Sequence, residues 1–242
     1  MQYVPPDVTG LPITIYLRLG SLPKACITRS TLPQTFIRDS QRVEIMIKTT
    51  SYDQHEIIKN IIDLHNGGKS FELDPTYSSG KFYSKGGIPQ PRIKSDLIPR
   101  FDDVHGWNAN SLELPDGSID SIMFDPPFVA GHTKQKPSGI IGERFHGFRY
   151  VADLWQWYEE CLTEFSRVLK PKGLLAFKCQ DTVSSGKQWW SHVHIINEAQ
   201  KRGFYCKDIF ILNAKNRLIG HNHANQKHAR KFHSYFLVFI KS

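Results

Sequence analysis

The sequence is short of the residues that would place it in several common classes. Its 242 residues include four cysteines, Cys26, Cys161, Cys179 and Cys206, far apart and with no Cys-x-x-Cys pair. That argues against a disulfide scaffold or a zinc site and fits free thiols in a reducing cytoplasm, so a cytoplasmic location and no metal are expected. No apolar run approaches the roughly 20 residues needed to span a bilayer, and no membrane is expected as a partner. The opening "MQYVPPDVTG" lacks a basic stretch followed by an apolar one, so no secretory leader is expected. There is no internal repeat and no low-complexity tract. What is there, 40% apolar and 22% charged residues, is the composition of a soluble globular protein with one sizeable core and a short appendage.

Acidic residues are also scarce where basic ones gather. The net charge is +8 and the isoelectric point about 9.3. Residues 207–242 hold seven Lys or Arg against one acid, Asp208, and residues 129–150 hold four against Glu143 alone. Such an excess suits an acidic partner such as nucleic acid. The histidines of the second basic tract, His221, His223, His228 and His233, have no regular ligand spacing and no Cys or acid beside them. A solvated basic loop able to contact phosphates is the better reading than a metal site.

Residues 1–45 carry five prolines and no clean period, and are set apart as an N-terminal extension. From Met46 onward the chain alternates. Ile57, Ile58, Ile61, Ile62 and Leu64 recur at helical spacing, and Asn66-Gly67-Gly68 stops that helix. "SFELDP", "RIKSDLIP", a short piece within 103–118, "IDSIMFDPPF" and "LLAFKCQD" read as strands. "VADLWQWYEECLTEFSRVLKPKG" reads as a helix ended by Pro171 and Gly173, and 189–203 as another. The strands "YCKDIFILN" and "SYFLVFIKS" have no helix between them and so are expected to pair antiparallel. The pattern predicts an α/β sandwich over 46–242, with a mostly parallel central sheet, an antiparallel C-terminal edge strand, and inserted loops at 129–150 and 214–233.

One stretch carries chemistry. "SIDSIMFDPPF" is an apolar strand that ends in Asp125-Pro126-Pro127-Phe128. In open α/β sheets ligands bind outside the carboxyl ends of the strands. The two prolines fix φ and remove two N–H donors, so the segment is a rigid edge of acceptors. Asp125 adds a carboxylate and Phe128 a flat apolar face. Two acceptors and a stacking ring suit a planar heterocycle bearing an amine. The same four residues also suit a proline-capped loop with a surface carboxylate. Trp155, Trp157, Trp189 and Trp190 read as core aromatics at helical spacing.

The order of these segments resembles the class I S-adenosylmethionine-dependent methyltransferases. More narrowly it resembles the DNA amino-methyltransferases with an Asp/Asn/Ser-Pro-Pro-Tyr/Phe/Trp signature. "NANSLELPDGSIDSIMFDPPF", "FSRVLKPKGLLAFKCQD" and "NQKHARKFHSYFLVFIK" carry the likeness. From Met46 the chain is similar to small Dam-like adenine methyltransferases of phages and bacteria, some of which serve restriction-modification. The resemblance implies a Rossmann-like fold, S-adenosyl-L-methionine as cofactor, DNA as partner and adenine N6 as the methylated atom. The expected alternatives are cytosine N4, adenine in RNA, and an inactive nucleic-acid-binding relative. By the same resemblance Asp125, Pro126, Pro127 and Phe128 are catalytic. Asp74, Pro75, Ser78, Ser79 and Gly80 form the cofactor loop, Asp96 holds the ribose hydroxyls, and Asn110 contacts the cofactor adenine. The chain departs from the family's Asp/Glu-x-Phe-x-Gly-x-Gly, since "FELDPTYSSGKFY" offers only Gly80. Lys134, Lys136 and Arg144 in one loop, and Lys215, Arg217, Lys227, Arg230 and Lys231 in the other, are the expected DNA contacts.

Overall fold

The computed structural model describes residues 46–128, 148–215 and 227–242. The extension at 1–45 and most of the loop at 129–150 lie outside them.

Strand β1 (Thr50–Ser51) leads into helix α1 (Gln54–His65). The Asp53 carboxylate caps α1 by accepting from the His55 N–H, and Ile57, Ile58, Ile61 and Ile62 form its buried face. The chain leaves α1 through Gly67 and Gly68, both at positive φ (60° and 74°). Strands β2 (Leu73–Asp74) and β3 (Ile93–Lys94) are two residues each, and β4 is Ile119–Phe124. Helix α2 (Val151–Val168) runs directly into β5 (Leu169–Cys179). A hairpin, β6 (Thr182–Ser184) and β7 (Lys187–Trp189), precedes helix α3 (Ser191–Lys201). Strands β8 (Phe204–Asn213) and β9 (His233–Lys241) finish the chain.

Seven strands form one sheet in the order β1-β8-β9-β5-β4-β2-β3. Only β9 runs against its neighbours, pairing antiparallel with β5 and β8. The antiparallel C-terminal pair thus stands toward one edge of the sheet, with only the two-residue β1 outside β8 and with β9 two places in from that edge. Its near-continuous apolar run "YFLVFI" is what a strand covered on both faces requires. One core packs α1 against Met123, Ala176, Phe210, Phe236 and Val238. The other packs α2 and α3 against Ile122, Phe124, Leu175, Phe177 and Leu237. Successive strand residues alternate between the two cores.

Three local expectations are corrected. The strand expected within 103–118 is reduced to isolated bridges, His105 parallel to Ser95 and Asn108 antiparallel to Ser111. Side chains hold this stretch instead: the Arg167 guanidinium donates to the Leu112 and Leu114 carbonyls, and the Leu112 N–H donates to Glu164 at 2.6 Å. Helix α2 stops at Val168, ahead of Pro171 and Gly173, which lie in a bulge of β5 where the register shifts between Ile119 and Ser121. A Cβ on Gly173 would stand 2.8 Å from the Lys170 carbonyl oxygen, so the bulge needs glycine there. Finally, α3 begins at Ser191 because Ser185-Gly186, both at positive φ (52° and 72°), turns a two-residue hairpin that ends at Trp189.

Candidate functional site

Strands β2 and β3, two residues each, are too short to bond the loops that leave them, and side chains take over. The buried Asp74 accepts from the Thr76 N–H (2.9 Å) and hydroxyl (3.2 Å) on one oxygen, and from the Tyr83 hydroxyl (2.8 Å) on the other. The Thr76 hydroxyl in turn accepts from the Asp125 N–H at 2.8 Å. The loop after β2 is thereby tied to the turn after β4. Burial pushes the Asp74 carboxyl up to about 7, against its hydrogen bonds from Thr76 and Tyr83, and the nearby Asp125 charge adds to the rise. Tyr83 is pushed upward as well, first by burial and then by Asp74.

Asp96, just past β3, accepts from the Ser78 N–H and from the Ile98 N–H, both at 2.9 Å. Ser78 sits at φ 52°, a conformation for which glycine is the usual residue. This is how the loop does without a second glycine: the Asp96 carboxylate grips Ser78 in the strained conformation. Gly80 is also left-handed, at φ 65°. A Cβ there would lie 2.5 Å from the Tyr77 hydroxyl oxygen.

Between these loops lies a cavity of about 370 Å³. Pro75, Thr76, Ser78, Asp96, Asp125 and Pro127 border it, and Leu97, Ile98, Arg100, Asn108, Ala109, Phe148 and Trp157 complete its wall. Of the residues expected to bind cofactor, Pro75 and Asp96 line it. Asp74 stands behind it as the buried anchor. Ser79, Gly80 and Asn110 do not line it: the Asn110 amide is turned to Glu160 at 2.9 Å. Asn108 lines the cavity instead, and its carbonyl oxygen accepts from the Trp157 indole N–H at 3.3 Å. Ser78, of the expected cofactor loop, also lines the cavity, while Thr76, Asn108 and Trp157 were not singled out from sequence as site residues.

The four residues of the Asp-Pro-Pro-Phe turn divide between two surroundings. Asp125 and Pro127 face the cavity, while Phe128 lies near the Lys178 ammonium, 5.6 Å from its ring centroid. Asp125 borders both, since its carboxylate is 3.2 Å from Lys178 Nζ. The buried Tyr158 hydroxyl donates to the Pro127 carbonyl at 2.5 Å and fixes the turn from below.

Among the expected DNA contacts, Lys215 and Lys231 share a second cavity of about 560 Å³ with Gln54, His55, Lys85 and His233. Lys231 lies over the exposed Trp190 ring, 5.2 Å from its centroid. Lys227 and Arg230 are exposed. Lys134, Lys136, Arg144 and Arg217 lie outside the described residues. On α2 and α3, ligand atoms of Glu159, His194 and Glu198 come within 4.8 Å of one another, but Arg202 pairs with both carboxylates and Lys201 with Glu198.

A mostly parallel sheet with helices on both faces, and a cavity beyond its strand ends, is a Rossmann-like α/β sandwich. The chain belongs to the DNA methylase family, whose N6/N4 pattern matches residues 119–242. No curated protein matches it. Solved structures similar to it include a Thermus thermophilus protein described as a DNA modification methylase, complexed with S-adenosyl-L-methionine: 16% identity, TM-score 0.35, over 53% of this chain and 50% of that one. Others are the cytosine-N4-specific PvuII DNA methyltransferase (16% identity, TM-score 0.40, 54% of this chain and 45% of that one) and TrmN from Thermus thermophilus (13% identity, TM-score 0.47, 78% and 49%). The chain spans about half the length of each of these. No helix among the described residues is long and apolar enough to cross a membrane.

Proposed function

We propose that the protein transfers a methyl group from S-adenosyl-L-methionine to the exocyclic N6 amine of adenine in DNA. The observation that carries this reading is the place of Asp125. Its carboxylate forms the wall between the cavity at the ends of β2 and β3 and the turn that bears Phe128. A donor on one side and an acceptor on the other would meet there.

The cavity fits the cofactor. Its volume, about 370 Å³, lies in the range of small-molecule sites. Each Asp96 oxygen accepts one backbone N–H and keeps a second lone pair for a ribose hydroxyl. Leu97, Ile98 and Trp157 supply an apolar wall for a purine, and Asn108 an amide. When bound, S-adenosyl-L-methionine supplies an electrophilic methyl group and leaves as a neutral thioether.

The remaining work belongs to this chain. A base inside a duplex cannot reach Asp125, so it is flipped out. Phe128 stacks on it, at a gain of about 1–3 kcal/mol. Asp125 accepts one amine hydrogen. The Pro126 carbonyl accepts the other, because the Pro127 carbonyl is already held by Tyr158. These acceptors hold the nitrogen lone pair in line with the methyl carbon and stabilise the positive charge that develops on nitrogen. With the cofactor bound, the amine nitrogen held by these acceptors would take the methyl group in exchange for one of its hydrogens, which would pass as a proton to solvent. Lys215 and Lys231, in their basic cavity, hold strand phosphates.

The test is incubation with methyl-labelled S-adenosylmethionine and either DNA or RNA, followed by nucleoside analysis. The reading requires label in N6-methyldeoxyadenosine. Label in N4-methyldeoxycytidine, in RNA adenine, or in no nucleoside would replace it with the corresponding alternative.

A further inference from the structure

Residue 178 is where the apolar pattern of β5 breaks. Leu174 and Ala176, four and two residues earlier on the same face, belong to the α1 core. Position 178 continues that row, yet it holds a lysine that is only 8% exposed. A buried ammonium is costly unless it is paired and hydrogen-bonded. Lys178 Nζ is paired with the Asp125 carboxylate at 3.2 Å and lies 3.5 Å from the Gln54 side-chain oxygen. Three phenyl rings enclose it, with centroids at 4.7 Å (Phe82), 5.5 Å (Phe236) and 5.6 Å (Phe128). All three are within cation–π range.

Building on the function proposed above, we propose that Lys178 is a positioning residue of the site: its ammonium clamps the two ends of the Asp-Pro-Pro-Phe turn, the Asp125 carboxylate and the Phe128 ring, in the arrangement that receives the amine. An ion pair made only for stability has no need to meet both functional ends of one four-residue turn. Asp125 is then held from two directions, at its N–H by Thr76 and at its carboxylate by Lys178. The Thr76 hydroxyl links the Asp74 carboxylate to the Asp125 backbone N–H. Of Asp74 and Asp125, Lys178 pairs with Asp125 alone, the carboxylate that accepts from the amine, while burial pushes the Asp74 carboxyl up. The other titratable groups around Asp125 are Tyr83 from the turn after β2 and Tyr158 from α2, both pushed upward mainly by burial, with Asp96 and Arg100 across the cavity. None of these besides Arg100 brings positive charge, and among the described residues Lys178 is the one that brings it within ion-pair distance.

The experiment measures kcat, KM, the pH–rate profile and S-adenosylmethionine affinity for the full chain and for Lys178→Met, Lys178→Arg and Asp125→Ala. Lys178→Met removes the charge and keeps the stem. Its kcat should fall by about 10²-fold, as for a reacting group displaced by about 1 Å, with cofactor affinity unchanged. The acid limb of its profile should move to higher pH, because a positive charge 3.2 Å from the Asp125 carboxylate is removed. Lys178→Arg should keep the wild-type acid limb and recover most of the rate. If Lys178→Met fails to melt cooperatively, Lys178→Gln replaces it with the same expected shift of the limb. A wild-type kcat and an unmoved acid limb in the uncharged variant, with Asp125→Ala inactive, would overturn the clamp and leave the function standing. Full activity in Asp125→Ala would overturn the role given to the turn itself.

Discussion

On one side of β4 the sheet consists of β2 and β3, two residues each; on the other, β5, β9 and β8 are 11, 9 and 10 residues long. The long half satisfies its backbone groups by strand pairing. In the short half side-chain oxygens do much of that work. Asp74 accepts from Thr76, Asp96 from Ser78 and Ile98, Glu72 from Asp120, and the Thr76 hydroxyl from Asp125. The difference teaches why the cavity is where it is. Ladder bonds fix a backbone straight, whereas a carboxylate can hold two N–H groups of a bent loop and still face a ligand. The short half borders the cavity, and the long half brings Lys178 to Asp125 at its edge.

The largest effect that would sharpen this contrast is loss of chemistry without loss of fold. Asp125→Ala should cost about 10²–10³ in kcat, as for a preorganised group aimed at developing charge. Its thermal midpoint should stay near that of the wild type, and a parallel collapse of the midpoint would show the turn to be part of the frame. The converse belongs to the long half. Phe239 is fully buried on β9 between β5 and β8. Phe239→Ala should destabilise the fold by about 3–5 kcal/mol in denaturant titration, and a loss under about 1 kcal/mol would mean that the frame is looser than its ladders imply.

Asp96→Asn is expected to act at an intermediate level. An amide accepts at one oxygen and offers a donor to the second N–H, so the Ser78 turn loosens and a ribose acceptor is lost. Cofactor affinity should drop about tenfold, some 1.4 kcal/mol, by calorimetry. Unchanged affinity would move the ribose site elsewhere.

A further effect is on stability against pH. Asp74 titrates near 3.8 unfolded and at about 7 folded. Between those values the folded state holds a proton that the unfolded state has lost, so this contribution is complete below about pH 4 and disappears as pH rises through about 7. Asp74→Asn cannot titrate. Its stability should fall less than that of the wild type between pH 5 and 8, and an equal fall in both would contradict a proton on Asp74.

Legibility in the sequence followed the same divide. The long half could be read from its apolar runs, and α1 from its isoleucines and paired glycines. The end of β4 was legible because two prolines after an apolar strand leave few structural options. Asp96 was legible from its position after a strand. Asn110 was chosen where Asn108 faces the cavity, because in "NAN" only the turn decides which amide looks inward. Trp157 was read as core because a ring on a helix face has the same spacing whether it meets apolar residues or a cavity. The role of Ser78 depends on a φ angle held by a carboxylate 18 residues away, and no local pattern encodes that. Lys178 left only a charge in an apolar strand as its trace, and its meaning depends on Asp125 lying across the β4–β5 pair.

The most direct measurement is a crystal structure of the full chain with S-adenosylhomocysteine. The account predicts the ligand in the cavity between Asp96 and Asp125, with its ribose hydroxyls on the Asp96 carboxylate and its sulfur toward Asp125 and Pro127. A ligand bound outside this cavity, or seated there with Asp96 making no contact to the ribose, would contradict it.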